Sequence, residues 1–224
     1  DGKEHASEFK AETIDCAQWA MELKNAGVAI AILTAKHHDG FCLWPSRYTE
    51  HSVKNSPYKG GQGDVMKEFA DACRAEGLKV GVYVSPADLY QLHTTKVYGG
   101  GSPYVESTIP TQIEGMRLFP KGHKTFTYTV DDYNRYFLNQ LYELLTEYGP
   151  IDELWLDGAA WRKNKSAVPG WIVGRVNRSY KDEAETGRAT TLEEDRIQHN
   201  HWHCTEHGRR LCSAETEYHP YPGR

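Results

Sequence analysis

The chain has 224 residues, enough for one large domain or two small ones. Hydrophobic residues make up 39% and charged residues 25%, with a net charge of −5 from 26 basic and 31 acidic side chains. These values exclude wholesale disorder and a strongly basic nucleic-acid face, and no run approaches the ~18 apolar residues of a membrane-crossing helix.

Six Trp, 14 Tyr and 11 His are many for this length and suit a flat polar ligand such as a sugar. The five cysteines (Cys16, Cys42, Cys73, Cys204, Cys212) form no CxxC pair, which argues against a zinc ribbon or thioredoxin site and leaves the compartment open. The first residue is Asp1, not Met, and no signal-peptide pattern follows, so a cut N-terminus is expected.

In chain order, Asp15 is positioned to cap a helix with an apolar stripe of Trp19, Ala20, Leu23 and Ala26, stopped at Gly27. The continuous apolar run Val28 to Thr34 predicts a strand buried on both faces, as in parallel sheets. Asp64 caps a second predicted helix through Val65, Phe69, Ala72 and Cys73, ending at Gly77. Leu78 to Val84 is a second buried strand. Residues 86–129 read as irregular, with a strand-like piece at Thr125 to Tyr128. A third amphipathic helix is expected over 131–148, then a third strand from Ile151 to Leu156. Residues 171–180 have helical character, and 181–201 are polar without a strand signal. Three helix–strand units predict an α/β fold with a parallel sheet, compatible with a βα barrel or a doubly wound sheet.

Titratable residues follow each apolar strand: Lys36-His37-His38-Asp39-Gly40, then Ser85-Pro86-Ala87-Asp88, then Asp157-Gly158. The carboxyl ends of parallel strands form the ligand-binding edge of such folds, so the three sets converge on one site. Aspartate is unfavourable in a strand. Asp157 after Leu154-Trp155-Leu156 is therefore a candidate nucleophile or base, with a helix N-cap or a structural ion pair as the structural alternative. His37 and His38 suit recognition of hydroxyls by neutral imidazoles, or packing of one ring and hydrogen bonding of the other. His199, His201, His203, Cys204 and His207 could supply metal ligands along a strand, but their spacing fits a polar exposed segment better. Glu206, Glu215 and Glu217 are candidates for a second carboxylate.

Thr34 to Ser46, continued by Tyr48-Thr49, resembles the strand-end motif of the α-L-fucosidases of glycoside hydrolase family 29. Gly63-Asp64-Val65 through Gly81 to Pro86 is similar to that family's next unit, and Tyr142 to Thr146 with Tyr148 to Pro150 and Glu153 to Ala159 to the unit carrying its nucleophile. The resemblance covers residues 9–161. It implies a (β/α)8-type TIM-like barrel in a single catalytic domain over residues 1–224, acting on a fucosylated oligosaccharide or glycoconjugate with retention of configuration. It also implies Asp157 as nucleophile and Glu206 as acid/base, in a Trp202 to Glu206 segment with Cys204 where the family has Gly. Glu215 and Glu217 remain alternatives. His37 and His38 match the pair that binds fucose hydroxyls, Tyr83 an aromatic residue near the sugar, and Trp155 a pocket-lining residue. Trp155 and Trp44 would offer apolar surface to the sugar's methyl group and ring faces. No metal and no organic cofactor is required. The subgroup resembled acts on α-1,3/1,4 linkages, and secreted, periplasmic or lysosomal placement fits the family.

The family's first strand, with another sugar-binding His, and a Trp before the Asp1-Gly2-Lys3-Glu4 segment are absent here, and Ala87 stands where a Trp is common. An incomplete barrel lacking its first and last strands is expected, with poor folding or low activity for this chain alone. A non-catalytic fucose-binding remnant is the first rival reading, and a metal-dependent hydrolase the second.

Overall fold

Each of the three predicted helices starts where an aspartate accepts from the exposed first-turn amides. Asp15 Oδ1 takes the Gln18 N–H at 2.9 Å and opens α1 (Cys16–Asn25); Asp64 Oδ1 takes the Lys67 N–H at 2.9 Å and opens α2 (Val65–Ala75). Asp131 Oδ1 takes the Asn134 N–H at 2.7 Å and opens the 16-residue α4 (Asp132–Glu147). Gly27 and Gly77 follow α1 and α2 at φ +79° and +76°, a left-handed turn that glycine adopts without strain. The computed structural model describes residues 2–94 and 102–156, with the backbone of 205–206, 209–210 and 212–213.

The strands are β1 (Ile30–Lys36), β2 (Lys79–Val84), β5 (Glu153–Trp155) and β8 (Cys212–Ser213), paired in parallel in the order β1-β2-β5-β8. Between β2 and β5 lie the short helix α3 (Leu89–Thr94) and the antiparallel hairpin β3 (Val105–Ile109) with β4 (Phe126–Val130). The predicted irregular stretch 86–129 therefore holds a helix and a second strand. Neither shows a clean apolar period: α3 is six residues long, and in β3 only Ser107 and Ile109 are buried. β6 (Thr205–Glu206) and β7 (Arg209–Arg210) form a separate antiparallel pair. Residues 171–180 and 181–201 lie outside the described residues. Among the described residues the sheet is open, no closed barrel forms, and no helix is long and apolar enough to cross a membrane.

Side chains paired across parallel strands point to the same face, and the two faces differ. Val80, Val82, Val84 and Leu154 lie on one face and have essentially no exposed surface, packed with Phe69, Phe137 and Leu141 of α2 and α4. The other face carries Ile32, Thr34, Tyr83 and Trp155; Ile32 is 37% exposed and Thr34 is also exposed. This corrects the expectation that the first strand is buried on both faces. Its uniform run of apolar residues masks an alternation that follows from helices lying, among the described residues, on one side only. Trp19 is likewise not in an apolar seam: it is 40% exposed, and α1 is buried instead through Cys16 and Ala20. These small residues let it lie close against α2.

Candidate active site

β1, β2 and β5 run in one direction, so their carboxyl ends lie together. Thr34 pairs with Tyr83 and Tyr83 with Trp155, which sets these three in a row across the open face. The His37 ring stacks on the Tyr83 ring, with centroids 5.6 Å apart and planes within 5°. The His38 ring lies 4.4 Å from that of His37 at 52°. His38 Nδ1 is 2.5 Å from Ser85 Oγ, just past the end of β2. Trp155 is half-buried, and its Nε1–H is enclosed without a hydrogen-bond partner among the described residues. His37, His38, Tyr83 and Trp155 thus sit at one strand edge, and two adjacent histidines leave β1 with their rings in contact.

The loop that presents them is anchored from beneath. A register shift between Thr34 and Lys36 turns Lys36 to the helix-covered face, where it has no exposed surface. Its ammonium donates to Asp88 Oδ2 at 3.2 Å and to Gln140 Oε1 at 2.8 Å, over the Tyr136 and Phe137 rings. Asp88 also accepts from Tyr136 Oη at 2.9 Å and from the Gln91 N–H at 2.9 Å. Burial first, and then the negative Asp88, raise the Tyr136 phenol well above its usual value, so it remains a donor. Leu89 N–H donates to His38 O at 2.8 Å, joining the two strand-end loops. Burial also raises the Cys42 thiol, which accepts from Gln140 Nε2 at 3.3 Å and stays protonated and inert. His51 is buried between Phe41 and Tyr90, stacked on the latter at 4.3 Å, and burial lowers its pKa.

Trp44 departs from the expectation of a sugar-facing surface. It has no exposed area, and its Nε1–H donates to Glu143 Oε2 at 2.9 Å. Glu143 Oε1 accepts from the Arg47 N–H and from Arg47 Nη1, both at 2.9 Å. Burial pushes the Glu143 carboxyl up, against the lowering effect of these donors. A large aromatic residue downstream of a strand end has the same composition signal whether it faces a ligand or the core. Here a buried carboxylate on α4 draws its indole inward. The signal for that partner was present in the chain: Tyr136, Gln140, Glu143 and Glu147 recur at i, i+4, i+7 and i+11 on the helix face that carries Phe137, Leu141 and Leu144.

Asp157 is one residue beyond Leu156 and lies outside the described residues. The side chain of Glu206 lies outside them as well, although its backbone belongs to β6. Glu215, Glu217, His199, His201, His203, Cys204 and His207 are outside them too. Among the described residues no three His, Cys, Asp or Glu side chains are grouped to hold a metal.

The chain is similar along most of its length to known proteins of one kind. A sequence profile described as alpha-L-fucosidase matches residues 3–219. "Alpha-L-fucosidase 1" of Arabidopsis thaliana is 40% identical over 158 residues, 70% of this chain and 25% of the plant protein. The crystal structure of a glycoside hydrolase 29 family member from an unknown rumen bacterium superimposes with TM-score 0.56 at 39% identity, covering 80% of this chain and 28% of that one. That of an alpha-L-fucosidase GH29 from Bacteroides thetaiotaomicron does so with TM-score 0.54 at 26% identity, covering 79% and 34%. The chain spans about a quarter of the length of the plant relative. With the profile covering nearly all of it, and with paired histidines, tyrosine and tryptophan at one edge of a parallel sheet, the chain belongs to the α-L-fucosidase family.

Proposed function

We propose that this chain carries the sugar-binding and nucleophile-bearing part of a retaining α-L-fucosidase, acting on terminal α-L-fucosyl groups, with α-1,3/1,4 linkages the favoured class. The observation that carries this reading is the shared strand edge: His37-His38, Tyr83 and Trp155 come together there, and Asp157 follows Trp155 by two residues. Two imidazoles in contact offer directional hydrogen bonds to adjacent hydroxyls. The Tyr83 and Trp155 rings supply apolar surface for the methyl group and ring face of a deoxy sugar. The enclosed Trp155 Nε1–H supports the same reading, as a donor suited to a ligand oxygen.

In this mechanism the Asp157 carboxylate attacks the anomeric carbon while Glu206, protonated, donates to the leaving oxygen. Water, deprotonated by Glu206, then releases fucose from the glycosyl-enzyme with configuration retained. Such a pair stands ~5–5.5 Å apart and needs one carboxyl held neutral while the other is ionised. The test is hydrolysis of an aryl α-L-fucoside. Asp157→Ala is expected to lower turnover at least about 10³-fold, and Glu206→Gln to remove the basic limb of the pH–rate profile. Measurable turnover that is equal in wild type and Asp157→Ala would overturn the reading.

A further inference from the structure

The hydrogen bonds at Ser85 constrain where the proton sits on His38. Ser85 has no exposed surface, and its backbone N–H is spent on Lys36 O at 2.9 Å. Its hydroxyl meets three groups: the Ala87 N–H at 3.0 Å, the Ala87 carbonyl at 2.9 Å and His38 Nδ1 at 2.5 Å. A hydroxyl has one proton to give and two lone pairs to accept with. The Ala87 N–H can only donate and takes one lone pair. The Ala87 carbonyl can only accept and takes the proton. What remains for His38 is a lone pair, so Nδ1 must be the donor. The opposite assignment turns the hydroxyl proton to His38, withdraws it from the Ala87 carbonyl and leaves a buried lone pair on Ser85 unused.

We infer that Ser85 is a positioning residue that holds His38 as the Nδ1–H tautomer, so that in the neutral ring Nε2 is the acceptor for a hydroxyl of the bound sugar. The inference rests on the fucosidase reading for its ligand, but not for the tautomer itself. Its consequence is polarity. An Nε2 acceptor receives a hydrogen bond from a hydroxyl and leaves that oxygen's lone pairs for other donors, whereas an Nε2–H ring would compete with them. His37 is held differently, by stacking on Tyr83, so Ser85 acts on one histidine of the pair.

The tautomer is read directly from long-range proton–nitrogen NMR of the chain labelled with ¹⁵N-histidine, with His38 assigned by the signals lost in His38→Gln. In the neutral ring, observed at about pH 8, wild-type His38 is expected to show a protonated Nδ1 and an Nε2 without a proton. Ser85→Ala is expected to shift that pattern toward Nε2–H and to weaken L-fucose binding about tenfold, as for one lost hydrogen bond. A bare Nδ1 in the wild type overturns the inference without reference to any variant, and so does an unchanged His38 pattern in Ser85→Ala. A wild type with the Nδ1–H signature that fails to bind L-fucose tells against the fucosidase reading and not against the Ser85–His38 link.

Discussion

A β-carbon at Gly40 would overlap Asp88 Oδ1, and the residue sits at φ +88°. The loop thus passes close over Asp88, whose other carboxylate oxygen is held by Lys36. The Lys36–Asp88 pair has both partners fully buried. Taking two charges out of water costs several kcal/mol each, so such a pair adds little net stability, but removing one member strands the other. Lys36→Met is therefore expected to lower unfolding free energy by about 3–5 kcal/mol, and Lys36→Met with Asp88→Asn to recover much of that loss. Urea denaturation of the single and double variants checks it. Equal losses would show that Asp88 is adequately held by Tyr136 and Gln91 alone.

At the scale of elements, α4 does most to brace the site from behind. One of its faces supplies Gln140 to Lys36, Tyr136 to Asp88, and Glu143 to Trp44 and Arg47. Its start depends on Asp131, whose Oδ1 accepts from both the N–H and the side-chain amide of Asn134. Asp131 is itself buried, so its loss leaves those donors without water to replace it. Asp131→Ala is expected to cost about 1–2 kcal/mol, seen in the melting temperature, and Asp131→Ser to restore part of it. The same exercise at Asp15, an exposed cap on α1, should cost less, because water can reach the freed amide.

For the whole molecule, the parallel sheet is covered by helices on one face and open on the other among the described residues. The asymmetry makes the two faces respond differently to the same kind of change. Val82→Ala, beneath α2 and α4, is expected to destabilise by about 1–3 kcal/mol, whereas Ile32→Thr on the open face should stay within about 0.5 kcal/mol. Chemical denaturation of the two variants separates these outcomes. A large loss at Ile32 would mean that the open face is packed in solution. The open face is also the one that bears Tyr83 and Trp155, so the surface left uncovered by helices among the described residues is the one that serves the proposed site.

Aspartate caps, glycine stops and apolar runs were enough to place α1, α2, α4, β1, β2 and β5 to within about two residues, because these signals act between near neighbours in the chain. The strand-end histidines were legible because a parallel α/β order brings strand ends together whatever the details, whereas Tyr83 and Trp155 were marked only by the family resemblance. Three things were not legible. Trp44 turns inward because Glu143, 99 residues on, accepts the hydrogen bond of its indole N–H. Lys36 turns from the site because a register shift reverses its face and Asp88, 52 residues on, neutralises it. Which nitrogen of His38 carries a proton depends on Ser85, 47 residues on. Local sequence determined which residues reach the edge of the sheet. Contacts between distant segments decided which of them face a ligand, since burial and hydrogen-bond partners exist only once those segments meet.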